Sequence, residues 1–249
     1  SLSYYETTAA GLNPLQLMVI GAALSISRLV FEIPTGVVAD LYSRRLSVLI
    51  GLALIGLAMF VEGLFPSFVP ILLAQVIWGL GYTFTSGANE AWLSDEIGEE
   101  CANRAFLTAK RYDLYGNLAG ILTGMFLGSF TSAATLILAS GAGWILLTIL
   151  LAFMMPENGF KPVRHEERNT FQQMGDIFHK GLRNVRQRPT LLTVLGVTLF
   201  FSLTFGLDRL WTWHLVNNFD LPIPFGNNAL GFFGLLDLGG ILFSILLTR

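Results

Sequence analysis

Seven long apolar stretches, separated by short polar connections, run through this sequence. They cover roughly residues 15–39, 46–64, 68–93, 104–130, 131–153, 190–215 and 229–248. A helix needs about 20 residues to cross the ~30 Å hydrocarbon core of a bilayer, and these stretches have that length. Their apolar residues are continuous, whereas barrel strands would be about ten residues long and would alternate in polarity. The pattern therefore predicts seven transmembrane helices.

The composition places the chain among integral membrane proteins. Of its 249 residues, 53% are hydrophobic and 13% are charged, whereas soluble domains carry about 25% charged residues. The single cysteine, Cys101, excludes an internal disulfide and a cysteine-based metal site. The sequence also has no phosphate-binding loop of the GxxxxGK type, no metal-ligand spacing and no large polar domain. We therefore expect neither enzymatic activity nor a cofactor, a metal or a nucleic-acid partner.

Basic residues are confined to alternate connections. The connections at 62–70, near 130 and at 216–228 contain no Lys or Arg. The others are basic, and they contain Arg44 and Arg45, then Arg104, Lys110 and Arg111, and finally the segment at 156–189. By the positive-inside rule the basic connections lie in the cytoplasm, as in a multi-pass protein of the cell membrane. Residues 1–14 then lie outside, which predicts at least one earlier helix in a longer chain.

The basic segment at 156–189 separates five apolar stretches from two. Its central part predicts an amphipathic surface helix that starts at Asn169 or Thr170 and has apolar residues at helical spacing, namely Phe171, Met174, Phe178, Leu182 and Val185. The alternative is a basic loop that only sets topology, and we favour the helix. The sequence thus divides into a bundle at 1–155, a cytoplasmic linker at 156–189 and the start of a second bundle at 190–249.

One polar island, GVVADLYSRR at 36–45, interrupts the apolar pattern. Gly36 allows close approach of a neighbouring helix, and Asp40 can accept hydrogen bonds at a nearby helix start. Arg44 and Arg45 anchor the turn on the cytoplasmic side. This spacing resembles the signature G-x-x-x-D-R-x-G-R-K/R, which lies between the second and third helices of the major facilitator superfamily. Leu41 replaces its first Arg and Ser43 replaces its second Gly.

The resemblance implies an all-α membrane bundle of which seven of an expected twelve helices are visible. The first stretch is then the family's second helix, so the bundle at 1–155 lacks its first helix. The linker falls where the family connects its two six-helix halves. The family uses this turn as a gate latch, so Asp40 would brace a helix of the other half in the outward-facing state. FEIPTGVVAD (31–40) and SGANEAWLSDEIGE (86–99) further resemble the drug-efflux branch of drug:proton antiporters.

Five charged residues within the apolar stretches are candidates for the substrate or proton pathway: Arg28, Glu32, Asp113, Asp208 and Asp237. A charge at mid-bilayer costs about 2.5–3.5 kcal/mol on insertion scales. A helical i,i+4 pair such as Arg28–Glu32 returns only about 0.3–0.5 kcal/mol. These side chains must therefore face a hydrated cavity or protein, and the alternative to a pathway role is a structural pair between helices. Glu62 and Glu90, near helix ends, are interpreted as residues without a functional role.

Asp237 is the strongest candidate for coupling to a proton or to a cationic substrate. The resemblance implies that its helix is the repeat partner of the helix carrying Arg28, and repeat-related helices line the cavity. Gln75 stands where the family's fourth-helix signature has an arginine proposed to assist proton transfer, and Arg28 is a candidate to serve in its place.

Four glycines recur on one face of the fourth apolar stretch: Gly116, Gly120, Gly124 and Gly128. Each costs about 0.5–1 kcal/mol relative to Ala within a helix. Four in register predict close backbone approach by another helix. The resemblance places the family's Gly-Pro antiporter signature in this helix, but the Pro is absent here.

These features predict a secondary transporter that moves a small organic solute by alternating access, with proton-coupled drug or multidrug efflux as the favoured mode. Its partners are then the small-molecule substrate, protons and the lipid bilayer, and we expect a monomer. One alternative is a uniporter or importer of another solute or lipid. Another is a membrane receptor or scaffold that keeps the fold without transport, although intramembrane charges argue against it.

Overall fold

The computed structural model describes residues 2–160, 186–221 and 229–247, without the side chains of 195, 198–208, 242 and 244–247. Over these ranges the chain is helical. The helices are α1 (Leu2–Thr8), α2 (Pro14–Leu41), α3 (Arg44–Leu64), α4 (Phe68–Thr85), α5 (Ala88–Ile97), α6 (Glu99–Gly128), α7 (Ala133–Met154), α8 (Pro189–Asn218) and α9 (Leu230–Leu247). The seven apolar stretches lie on α2 to α9 with bounds that differ by a few residues. The third stretch is divided into α4 and α5 at Gly87, whose φ of 70° is in the left-handed region that favours glycine.

The helix starts are set by polar residues in the short turns. Asn13 and Gln16 form a reciprocal capping box at the start of α2, where Pro14 occupies the first turn. The Ser43 hydroxyl accepts a hydrogen bond from the Leu46 N–H at the start of α3, and Ser132 caps α7 in the same way. These caps stop each apolar helix where the sequence pattern predicts a turn.

Helix α3 is the centre of the packed part of the bundle, in contact with α4 and α7. Small residues allow both close approaches: Gly51 faces Gly81 of α4, and Gly56 faces Gly141 of α7. On the other side of α4, Gly79 lies against Ser27 of α2. These glycines bring the helices within backbone contact, as at helix interfaces in membranes.

Four stretches of the described chain are long and apolar enough to cross a membrane: Pro14–Leu41, Arg44–Leu64, Phe68–Ile97 and Ala133–Met154. A shorter apolar run, Leu230–Ile241, lies in α9. The side of the bundle that carries Arg44, Arg45 and the end of α7 is called here the basic side, and the side where α3 ends at Leu64 is the opposite side.

The last two helices contact the rest of the chain near the opposite side. Leu230 of α9 lies against Gly128 at the end of α6, and Met125 lies against Gly234. The Tyr4 and Phe233 rings are 5.6 Å apart. Helix α8 packs on α1 and α2. The predicted amphipathic helix of the linker, which starts at Asn169 or Thr170 and has its apolar residues up to Val185, lies outside the described residues. The division into two bundles stays a prediction.

Candidate functional site

A buried polar cluster lies where α1, α3, α4 and α8 meet, and it consists of Tyr5, Glu6, Glu62, Gln75 and Arg209. Glu6, Glu62 and Gln75 are fully inaccessible to solvent, and Arg209 is 7% exposed. Apolar residues of α1, α2 and α4 pack around Tyr5 beside it. Charged residues are rarely buried to this extent unless they are paired, so the cluster is the first candidate for a functional site.

A continuous series of hydrogen bonds links the residues of the buried cluster. The Arg209 guanidinium donates to Glu6 and, at 3.0 Å, to the side-chain oxygen of Gln75. The Gln75 amide nitrogen donates to Glu62 at 2.9 Å. The Tyr5 hydroxyl donates to the backbone carbonyl of Glu62 at 2.7 Å. Gln75 therefore bridges the cation of α8 and the carboxylate of α3, because an amide can accept from one and donate to the other.

The charges of the buried cluster do not balance. Glu6 and Glu62 are close enough for their side chains to interact directly, and Arg209 is the one cation among the described cluster residues. Within the described chain, Glu6 Oε2 and Glu62 Oε1 are buried without a hydrogen-bond partner. A net buried charge costs several kcal/mol. The arrangement is thus suited to hold a proton between the two carboxyl groups.

Sequence reasoning missed this cluster. Glu62 lies two residues before the end of α3, a position that suggests the water interface, but α1 packs over it through the Tyr5 hydroxyl. Gln75 was the residue from which the sequence could have indicated the cluster, because it occupies the arginine position of the fourth-helix signature. The guanidinium that reaches Gln75 in the described structure comes from Arg209 of α8. The suggestion that Arg28 takes the place of that arginine in proton transfer stays a prediction.

Arg28 lies over the Tyr82 ring of α4, with 4.0 Å between the guanidinium carbon and the ring centre. This cation–π contact fixes the charge on a neighbouring helix. Glu32 is exposed and accepts a hydrogen bond from the Ser86 hydroxyl at 3.0 Å. The described side chain of Arg28 therefore contacts α4, and that of Glu32 contacts the α4–α5 turn.

The polar island forms a compact ion-pair cluster on the basic side. Arg44 donates to Asp95 of α5 at 2.6 Å and to Asp40 at 3.3 Å. Asp40 is exposed, and its partner in the described structure is Arg44 rather than a helix start. The expected close approach at Gly36 is also not found there, since a Cβ on Gly36 would have no atom within 4 Å. The island's second arginine, Arg45, donates to the Ala152 carbonyl at 2.5 Å.

The residues that follow α7 are attached to the same island. The Glu157 carboxylate accepts hydrogen bonds from the Ser43 hydroxyl at 2.8 and 2.9 Å and from the Arg45 N–H at 3.0 Å. It thus places a negative charge at the N-terminus of α3, where the helix dipole favours one. The Trp92 indole donates to the Pro156 carbonyl at 2.7 Å, and Gly159 donates to Glu96 at 2.7 Å.

A cavity of about 690 Å³ lies between α6, α7 and α9. Asp237 lines it together with Asn117 and Ser140. Three of the four glycines in register also line it: Gly116, Gly120 and Gly124. A Cβ on any of these three would have no atom within 4 Å, whereas Gly128 lies against Leu136 and Leu230. The predicted helix contact is therefore found at Gly128 alone among the described residues, because the three others border open space.

The two remaining candidates are not brought together with Asp237 by any described contact. Asp113 is exposed on α6. Asp208 lies on α8 beside Arg209, but its side chain is outside the described residues. Of the charged candidates with described side chains, only Asp237 lines the cavity.

The described helices, their membrane-length apolar stretches and their buried charges define a multi-pass membrane protein. The family model of the Major Facilitator Superfamily matches residues 1–249, and the chain belongs to this family. The predicted fold class, an all-α bundle of the major facilitator type, is confirmed.

A curated relative is the protein described as an uncharacterized MFS-type transporter, YxaM, of Bacillus subtilis (strain 168). It is 24% identical to the chain over 242 residues, which cover 94% of the chain. The chain spans 57% of the length of this relative. No solved structure shows a significant match to the chain.

Proposed function

We propose that this protein is a secondary transporter that exports a small organic solute by alternating access, in exchange for protons. It acts as a monomer in the cell membrane, with the basic side in the cytoplasm. The observation that carries the proposal is the cavity between α6, α7 and α9, with the Asp237 carboxylate in its wall. The family supports transport in general, and the resemblance of 31–40 and 86–99 to the drug-efflux branch supports efflux.

The cavity has the size and lining of a small-molecule site. Ligand pockets typically enclose about 300–1,000 Å³ and combine apolar walls with a few polar groups. Here the walls are mostly glycine and aliphatic side chains, and the polar groups are Asn117, Thr123, Ser140 and Asp237. Asp237 lies seven residues after the start of α9, or about 10 Å along the helix. A single carboxylate at that depth favours an organic cation with apolar substituents.

Access to this cavity from the basic side is part of the proposal. The glycine contacts between α9 and α6, at Gly128 and at Met125, lie close to the opposite side and support closure there. Alternating access requires one state that is closed on this side and another that is open on it.

Transport across a pH gradient tests the proposal. The full-length protein, reconstituted in proteoliposomes, is expected to accumulate cationic drugs against their gradient when a proton gradient is imposed, and to stop when a protonophore collapses it. Neutral drugs and protein-free liposomes serve as controls. Uptake that equilibrates without responding to the gradient would contradict antiport and identify a uniporter. Absence of uptake for every solute in the panel would favour a receptor or scaffold.

Asp237→Asn is expected to lower transport efficiency for cationic substrates by about tenfold or more, because a charge-assisted contact contributes about 1.5–3 kcal/mol. The same assay measures it, with a neutral substrate in parallel. Asp113→Asn is the matched control, since Asp113 is exposed on α6 and does not line the cavity. Equal loss for cationic and neutral substrates would show that Asp237 has no role in recognising charge.

A further inference from the structure

We propose that Glu6 and Glu62 form a shared proton-binding site and that Arg209 couples its occupancy to closure of the opposite side of the bundle. The inference rests on the proposed function, because it assigns the coupling proton to named residues. The observation behind it is the juxtaposition of two buried carboxylates and one guanidinium contributed by three separate helices.

Charge balance is the first step. With both carboxylates ionised, the buried cluster would carry one uncompensated negative charge, and neighbouring like charges in a buried site cannot both remain ionised without a large penalty. One bound proton makes the cluster neutral. It also supplies an O–H donor among the buried carboxyl oxygens, two of which, Glu6 Oε2 and Glu62 Oε1, lack a partner in the described chain.

The surroundings provide no other charge that neutralises the cluster within the described residues. Tyr5 of α1 is the additional titratable group, and its hydroxyl donates to a backbone carbonyl. The part of α4 around Gln75 and the whole of α7 contain no ionisable side chain. The charges of α2 begin at Arg28, which lies over Tyr82. Asp208 precedes Arg209, and its side chain is outside the description.

Arg209 connects the proton site to the helix arrangement. Arg209 belongs to α8, whereas its partners Glu6 and Gln75 belong to α1 and α4. Opening the opposite side requires α8 to move away from α1 and α2, and this movement breaks both of its hydrogen bonds. While Glu6 is ionised, the separation would divide a buried ion pair, which is strongly unfavourable.

A second proton removes that restraint. When Glu6 takes up a proton, an O–H bond forms on its carboxyl group and the ion pair with Arg209 is lost, while no other covalent bond changes. The closed arrangement then contains a buried, unpaired guanidinium, so separation of α8 becomes the more favourable state. Acidification is thus expected to shift the bundle towards the state that is open on the opposite side.

Distances between α2 and α8 at the opposite side test this coupling. Spin labels are placed at Leu15→Cys and Asn217→Cys in the full-length protein with Cys101→Ser, since all three positions are exposed. Pulsed electron paramagnetic resonance then gives the fraction of separated helices from pH 5 to pH 9. For a single proton, the ratio of separated to closed molecules is expected to rise by up to about tenfold per pH unit of acidification.

Two isosteric variants make the expectation specific. Glu6→Gln removes the ion pair and is expected to keep the helices separated across the whole range. Glu62→Gln leaves a neutral Glu6–Arg209 pair that needs no resident proton. We expect it to remain closed and to move the transition down by about one pH unit or more. Glu90→Gln, an exposed carboxylate of α5, is the control and should reproduce the parent curve.

A pH-independent distance in the parent protein, or an unchanged transition in Glu6→Gln, would overturn the inference. The transport assay separates this failure from that of the proposed function. Proton-driven export with no response of the distances to Glu6 would leave the function standing and refute the coupling site. A normal pH response without transport would refute the function and retain the proton-sensitive closure.

Discussion

Arg209→Ala is expected to abolish proton-driven transport and to lower stability by about 3–5 kcal/mol, the cost of removing one partner of a buried ion pair. The variant leaves Glu6 and Glu62 buried without their cation and leaves the Gln75 oxygen without its donor. Transport is measured in proteoliposomes, and stability is measured as the thermal midpoint of the purified full-length protein in detergent.

The matched control for Arg209→Ala is Arg111→Ala, because Arg111 is an exposed arginine of α6. Exposed charges contribute about 0–1 kcal/mol, so its thermal midpoint should barely change. The double variant Glu6→Gln with Arg209→Gln removes both members of the pair and should recover most of the stability without recovering transport. Wild-type transport in Arg209→Ala would show that the buried cluster is not required for function.

Gly51→Ala is expected to destabilise the bundle by about 1–3 kcal/mol, the typical cost of overpacking. Its Cβ would lie 2.5 Å from the Gly81 carbonyl oxygen and 2.6 Å from the Thr85 methyl carbon. The first of these is backbone, so relief requires α3 and α4 to move apart. The thermal midpoint in detergent should fall, and the yield of folded protein should fall with it.

Gly120→Ala is the counterpart that separates crowding from the general effect of adding a methyl group. No atom lies within 4 Å of a Cβ at Gly120, so this change is expected to be neutral, or stabilising by up to about 1 kcal/mol through helix propensity. If Gly51→Ala were as stable as Gly120→Ala, the close approach of α3 and α4 described here would be wrong.

The helix positions follow closely from sequence because they depend on local information. Continuous apolar runs specify the spans, and residues such as Asn13, Ser43 and Ser132 specify where each helix starts. The break at Gly87 is visible only in the structure, because the hydropathy of 68–93 continues through it.

The buried cluster could not be predicted because it depends on which helix faces meet. Glu6, Glu62 and Arg209 are far apart in the sequence, and the residues around each of them give no indication of the other two. Position along the helix was misleading for Glu62, since a site two residues from a helix end is still buried when another helix packs over it.

The four glycines of α6 show a second limit on what can be predicted from the sequence. Glycines at four-residue spacing permit a neighbouring backbone to come close, but they equally leave room for a cavity. At Gly128 the first outcome is observed, and at Gly116, Gly120 and Gly124 the second. The sequence pattern identifies the face and does not distinguish the two outcomes.

The attachment of Glu157 to Ser43 and Arg45 has a mechanical consequence. The connection that leads from α7 towards α8 is fastened at its first residues to the start of α3, and also to Trp92 and Glu96 of α5. Because these hydrogen bonds join Pro156, Glu157 and Gly159 to α3 and α5, a displacement of the chain just after α7 acts directly on the α2–α3 turn and its arginines.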